Sequence, residues 1–258
     1  MAAITLRGLT KTYRSRAHPG GLLALDDVSL GVADREFLCL LGPSGCGKTT
    51  VLNMLAGLDQ DYRGEIAIDG RPLPRNGVHP FRIGYVFQEP RLLPWLTVRR
   101  NLHFALESVG APRAERTART ETWLRRVGLA DFGEAHPHEL SGGMQQRASI
   151  ARAFAVDPEL FLMDEPFSGL DELTARGLRE QRLALWQETR RTVIFVTHSC
   201  FEACFVADRI LVLSARPGRV RHEVRVDLPR PSSYDSPELF ELSVALTRLV
   251  TGVPHGGS

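Results

Sequence analysis

Nine residues from Gly42 to Thr50 place three glycines, a lysine and two threonines at a spacing that suits one kind of chemistry. Gly42, Pro43, Ser44, Gly45, Cys46, Gly47, Lys48, Thr49 and Thr50 match G-x-x-x-x-G-K-[ST] at each constrained position. Glycines let a backbone wrap closely around phosphate oxygens and aim its N–H groups inward. A helix starting at the end of such a loop adds positive partial charge. Lys48 would reach the β- and γ-phosphates of a nucleoside triphosphate, and Thr49 would offer its hydroxyl to Mg²⁺. A glycine-rich turn with a chance lysine is the plainer reading, and composition weighs against it. Lysine and arginine total 32, yet Lys11 and Lys48 are the only lysines. A chain that writes nearly every cation as arginine keeps lysine where a compact point charge suits phosphate.

The elements around this loop are those it requires. Phe37-Leu38-Cys39-Leu40-Leu41 reads as a buried strand before it, and Val51 to Gly57 as a helix with a glycine stop after it. A second apolar run, Leu160 to Met163, follows an Asp157-Pro158 turn and ends in Asp164-Glu165. Carboxylates at the end of a parallel strand lie at the edge where open α/β sheets bind ligands. Asp164 would hold Mg²⁺ through its hydration shell. Glu165 would orient and deprotonate the attacking water. Alone, Asp-Glu-Pro marks only an acidic strand end; with the phosphate loop upstream it carries weight. Upstream of that strand, Ser141 is a good N-cap for a helix through Gln145 to Phe154. The backbone of Gly142 and Gly143 would make a second anion cradle there. Ser-Gly-Gly by itself would be a flexible turn.

The order of these motifs resembles the nucleotide-binding subunit of ABC transporters over nearly the whole chain. The resemblance implies a P-loop NTPase core of α/β class, with a mainly parallel sheet, an antiparallel β flank and a helical subdomain. It implies ATP and Mg²⁺ as ligands and ATP hydrolysis as the activity. Tyr13, after Lys11-Thr12, resembles the aromatic that stacks on adenine. Gln88 resembles the glutamine that contacts Mg²⁺ and reports nucleotide state to the membrane partner. Ser141, Gly142, Gly143, Met144 and Gln145 resemble the family signature. Asp171, in Ser168-Gly169-Leu170-Asp171, resembles the loop that crosses the dimer interface. His198 resembles the histidine on the γ-phosphate. By this resemblance two chains pack head to tail, each ATP lying between the phosphate loop of one and the signature of the other. Ser199-Cys200 follow His198 where the family usually has an acidic residue.

Length, composition and pattern agree. A chain of 258 residues can bury a sizeable core. Its 43% hydrophobic and 24% charged residues suit a soluble globular protein. A net charge of +2 makes no large field, so nucleic acid is not implied. No apolar run approaches the roughly 18 to 20 residues a membrane span needs, so if membrane work is done a separate subunit must do the spanning. The start of the chain has no signal-peptide pattern. Cys39, Cys46, Cys200 and Cys204 lack C-x-x-C spacing and read as reduced cytosolic thiols, Cys39 within a strand.

Strands at Ile4 to Leu9, Ala24 to Leu30 and Gly64 to Ile68 predict the antiparallel flank. Helices are predicted at Val98 to Leu106 and Arg113 to Val127, and later strands at Thr192 to Val196 and Arg209 to Leu213. We expect a single ATPase domain over residues 1–235, with the helical subdomain inserted at about 89–155. A short C-terminal helix from Pro237 to Val250, within a tail of residues 236–258, completes the chain.

Three runs resemble the ATPases of nitrate, sulfonate and taurine importers: Leu92-Leu93-Pro94-Trp95, Leu185 to Thr189, and Leu213 to Arg219. Val226 to Pro231 fits the same group. The expected function is therefore the ATP-hydrolysing subunit of an importer of a small anion. It would act as a homodimer on integral membrane permease subunits, peripheral on the cytoplasmic face, and be served indirectly by an extracytoplasmic solute-binding protein. The alternatives are a soluble ABC ATPase acting on the ribosome or DNA, an exporter ATPase, and a P-loop kinase, which would not need Ser141. Leu92, Leu93 and Trp95 read either as a docking groove for a permease helix or as packing of the helical subdomain. Cys46, beside Lys48 and a helix start, is expected to be labelled by a maleimide faster than buried Cys39.

Overall fold

The computed structural model describes residues 3–15, 18–75, 79–167, 191–228 and 234–251. The chain forms two compact units, Met1–His79 with Arg182–Ser258, and Pro80–Gln181.

The first unit opens with strands β1 (Ile4–Ser15) and β2 (His18–Val32). They join β4 (Arg63–Ile68) and the short β5 (Arg71–Pro72) in an antiparallel sheet of order β2-β1-β4-β5. Ile4, Leu6 and Leu9 of β1 are buried while Thr5 and Arg7 are exposed, the alternation that turns one face of a sheet to the core. This is the predicted antiparallel flank, with β1 and β2 longer than their apolar stretches.

The parallel strands of this unit centre on β3 (Phe37–Leu41). It pairs in parallel with β8 (Thr192–Thr197) on one side and β9 (Arg209–Leu213) on the other. Every residue of β3 and β8 is buried, as expected of strands covered on both faces. Helix α1 (Lys48–Leu55) follows β3. Helix α5 (Cys200–Val206) lies between β8 and β9 in sequence, and β10 (Val220–Arg225) pairs antiparallel with β9. Neither α5 nor β10 stands out in the sequence. α5 has only seven residues, and β10, Val-Arg-His-Glu-Val-Arg, is charged and largely exposed, the composition of an edge strand. The C-terminal helix α6 (Pro237–Thr251) buries Leu239, Ser243 and Leu246 along one stripe.

In the second unit, β6 (Ile83–Val86) pairs in parallel with β7 (Leu160–Asp164). Helices α2 (Val98–Ser108), α3 (Arg113–Arg126) and α4 (Gly142–Ala155) enclose a core of Leu102, Leu106, Leu124, Leu129, Ala148 and Ala151. Asn101, fully buried, ties the preceding loop to α2. Its side chain accepts from Leu93 N–H at 2.8 Å and donates to the carbonyls of Leu93, Leu96 and Thr97. The runs Ser168 to Asp171, Leu185 to Thr189 and Pro229 to Pro231, and the tail beyond Thr251, lie outside the described residues.

Candidate nucleotide site

The phosphate loop joins β3 to α1 as its motif requires. Gly47, at φ 97°, is the residue before α1 and makes no side-chain cap. A Cβ there would stand 2.5 Å from the Leu25 side chain, so glycine is required both for the left-handed backbone and for the close approach. A helix start without a side-chain cap is the kind of terminus an anion can occupy. Pro43, Ser44, Gly45 and Thr49 are exposed, while Gly42 and Thr50 are buried. Lys48 is only 5% exposed, and its ammonium donates to the carbonyls of Gly42 at 2.8 Å and Pro43 at 3.0 Å.

Cys46 departs from expectation. Its thiol is 1% exposed, as hidden as Cys39 at 0%, so the loop position does not make it the more open thiol. Burial, followed by the Glu202 carboxylate, pushes the Cys39 thiol well up, and burial pushes Cys204 to about 12. These are the conditions of inert thiols. All four cysteines are free.

A segment the motif search passed over supports this loop. Arg216 Nε donates to Gly45 O at 3.2 Å, and a Cβ on Gly218 would stand 2.0 Å from Cys46 O. Gly218 also exchanges backbone hydrogen bonds with the β2 residues Ala24 and Asp26. The run Leu213 to Arg219, read in sequence only as a resemblance, is thus a buttress behind the phosphate loop.

Tyr13 on β1 is 38% exposed. Its hydroxyl lies 3.2 Å from Thr50 Oγ1 and donates to Asp59 Oδ2 at 3.3 Å. The ammonium of Lys11 sits 4.8 Å from the Tyr13 ring centroid. Lys11 itself is 4% exposed and donates to Asp59 Oδ1 at 2.8 Å and Asp61 O at 2.6 Å. Burial pulls the Lys11 pKa down, but hydrogen bonding to Asp59 and the charges of Asp59 and Asp61 outweigh it and hold it above the ordinary value. The other of the two lysines is thus held beside the Tyr13 ring, a placement sequence could not assign without Asp59 and Asp61 in place.

His198 is exposed just beyond β8. The next residue, Ser199, caps α5 by accepting from Glu202 N–H at 3.2 Å. Buried Glu202 accepts from Thr197 Oγ1 at 2.6 Å. The unusual Ser199-Cys200 pair therefore serves a short helix that fixes the strand end carrying His198.

In the second unit, Asp164 ends β7 at 4% exposure. Burial and then the Asp164 carboxylate push the Tyr85 hydroxyl strongly up. Glu165 holds a left-handed φ of 41°, a strained state for a side chain of this kind. Gln88 Nε2 donates to Glu165 Oε2 at 3.4 Å, joining two of the predicted residues. Ser141 caps α4, accepting from Met144 N–H at 3.3 Å, and Ser141 and Gly142 are exposed. Gln145 turns back to donate to Leu140 O at 3.2 Å. Asp171 lies outside the described residues.

Thr49 in the first unit, and Gln88 and Asp164 in the second, each carry a hard side-chain oxygen of the kind Mg²⁺ takes, an ion that keeps water and phosphate oxygen in its shell. Among the described residues no cluster of three His, Cys, Asp or Glu could hold a metal by itself.

Among known proteins, the family model described as ABC transporter matches residues 25–168. An uncharacterized ABC transporter ATP-binding protein of Methanocaldococcus jannaschii is 44% identical over 92% of this chain and 87% of its own. An aliphatic sulfonates import ATP-binding protein of Bacillus licheniformis is 43% identical over 83% of this chain and 81% of its own. A nitrate import ATP-binding protein of Synechocystis is 39% identical over 90% of each. A solved dimeric ATP-binding cassette in a post-hydrolysis state, bound to ADP and Pi, superposes with a TM-score of 0.76 at 32% identity. It covers 88% of this chain and all of its own.

Proposed function

The chain belongs to the ABC transporter ATP-binding family and is an ATPase using ATP and Mg²⁺, and on that premise we propose that it energises an importer of a small nitrate-, sulfonate- or taurine-type anion. Two copies form the ATP sandwich beneath separate permease subunits, on the cytoplasmic face of the membrane, with an extracytoplasmic binding protein delivering the solute. The names of the sulfonate and nitrate relatives support this reading. Among the described residues no helix is long and apolar enough to cross a membrane. The ATPase domain spans residues 1–235, with the helical part inserted at about 89–155 and a short C-terminal element from 236.

In this reading Lys48 neutralises the β- and γ-phosphates within the cradle of Gly42 to Thr50, and Tyr13 stacks on the base. Thr49, Gln88 and Asp164 would hold Mg²⁺, which when bound would supply charge screening for the transferred phosphoryl group. Glu165 orients the water and takes its proton. His198 contacts the γ-phosphate. The second copy closes the site with Ser141, Gly142, Gly143, Gln145 and Asp171.

One observation carries the coupling. Gln88 touches Glu165, and the chain on both sides of it lines an apolar groove of about 330 Å³ that includes Tyr85, Phe87, Leu93 and Phe104. Leu92 packs on the helical core, but Phe104 is 54% and nearby Trp95 71% exposed. A short amphipathic helix of a permease fits such a groove, and its arrival would move the segment carrying Gln88. The test is Leu93→Asp, a half-buried position on the groove. The purified variant should melt near wild type and hydrolyse ATP, but should leave the membrane fraction and fail to restore taurine, alkanesulfonate or nitrate uptake to cells lacking the chain. A large fall in melting temperature would overturn the docking reading. Co-purification with ribosomes or DNA would overturn the importer.

A further inference from the structure

Gln146 lies on α4, five residues past the Ser141 cap, and is 3% exposed. Its Nε2 donates to Pro166 O at 2.8 Å and lies 3.5 Å from Phe87 O. Phe87 immediately precedes Gln88, and Pro166 immediately follows Glu165. One carboxamide therefore ties together the backbone beside each member of the Gln88–Glu165 contact. Farther along α4, Arg152 donates to Pro90 O at 3.0 Å and to Arg91 O at 2.8 Å. The helix that starts at the signature thus grips the Gln88 segment on both flanks.

The amide has given up something to do this. Carbonyl oxygens only accept, so Nε2 must face them. Gln146 Oε1 is left buried with no hydrogen-bond partner among the described residues. A buried orphan acceptor is costly, and a leucine or methionine would pack the position without that cost. The group held is also a strained one: Glu165 at φ 41° persists only if its surroundings over-determine it.

We propose that Gln146 is a positioning residue for hydrolysis, joining the signature helix to the water-orienting Glu165 and its neighbour Gln88. The inference rests on the reading of Glu165 given above. A signature that closes on a nucleotide of one copy would then bear, through α4 and this amide, on the hydrolytic pair of its own chain.

The test compares wild type, Gln146→Met, Glu165→Gln and the double variant for melting temperature, KM for ATP and kcat. Methionine keeps the volume and removes the donor. It should melt within a few degrees of wild type, leave KM within about twofold, and lower kcat ten- to hundredfold, as displacement of a reacting group does. In the Glu165→Gln background it should cause no further loss, because it acts through Glu165. Gln146→Glu gives a second readout: a buried carboxyl facing carbonyls has a raised pKa and donates only when protonated. Its kcat relative to wild type should rise as pH falls from about 8 to 6, and this profile decides the matter if the methionine variant does not fold. Wild-type kcat in Gln146→Met alongside an inactive Glu165→Gln overturns the inference alone. So does a loss confined to KM, a full further loss in the double variant, or a flat profile for Gln146→Glu. Near-normal turnover of Glu165→Gln overturns the underlying reading and the inference with it.

Discussion

Two side chains illustrate how far single residues can be assigned. Glu165 follows a buried strand and carries a strained backbone, with Gln88 against its carboxylate. Changing it to glutamine keeps the size and removes the base. Glu165→Gln should bind ATP normally, hydrolyse it at least about a hundredfold more slowly, and trap a stable dimer with ATP on size-exclusion chromatography. Unslowed phosphate release would exclude it as the base. Lys11 is the subtler case. Its ammonium, held by Asp59 and Asp61, faces the Tyr13 ring. Lys11→Met removes a desolvated cation–π contact worth about 1 kcal/mol and frees the ring. With Tyr13 as the base platform, KM for ATP should rise about three- to tenfold with kcat little changed, and the effect should vanish in a Tyr13→Leu background. A kcat loss of the same size would place Lys11 elsewhere in the mechanism.

Among elements, the segment Leu213 to Arg219 shows how a loop without catalytic groups can govern one that has them. Gly218 lies so close to Cys46 O that any side chain must displace one backbone or the other. Gly218→Ala should cost about 2 kcal/mol by overpacking, a fall of roughly 5 °C in melting temperature for a chain of this size. It should also weaken nucleotide binding, because the displaced backbone is the phosphate loop. A normal ATP affinity in the destabilised variant, measured by titration calorimetry, would confine the segment to stability. Cys46 belongs to the same element. At 1% exposure it should react with maleimide slowly, and no faster than Cys39 unless the loop opens. MgATP should slow it further, and Cys46→Ser should retain activity.

For the whole molecule, the exposed Ser141 and Gly142 start α4 in the second unit, while the phosphate loop is built in the first. If the signature acts on the other copy, Ser141→Arg should abolish hydrolysis yet leave nucleotide binding to the monomer nearly intact. Mixing it with Lys48→Ala should restore one functional site per heterodimer. Heterodimers that form but remain inactive would show that signature and phosphate loop serve the same chain.

Local chemistry determined most of the identity of this protein. The phosphate loop needs only its own glycines, Lys48 and Thr49 between a strand and a helix. The β3 run, and β7 up to Met163, are apolar because both faces are covered, and Ser141 caps α4 by contacts within one turn. Such features are written in neighbouring residues and so are legible without a fold. The remainder depends on residues far apart in sequence. Lys11 acquires meaning from Asp59 and Asp61, Gly218 from Cys46, and Gln146 from Phe87 and Pro166. Cys46 reads in the sequence as the more reactive thiol and is buried in the fold because the exposure of a loop residue is set by what packs behind it. The phosphate loop, the Asp164-Glu165 strand end and the Ser141 cap follow from short-range spacing, while Tyr13, Gln88 and His198 rest only on the resemblance. The residues that hold them in place are chosen by burial and hydrogen bonding, which exist only once distant strands and helices have come together.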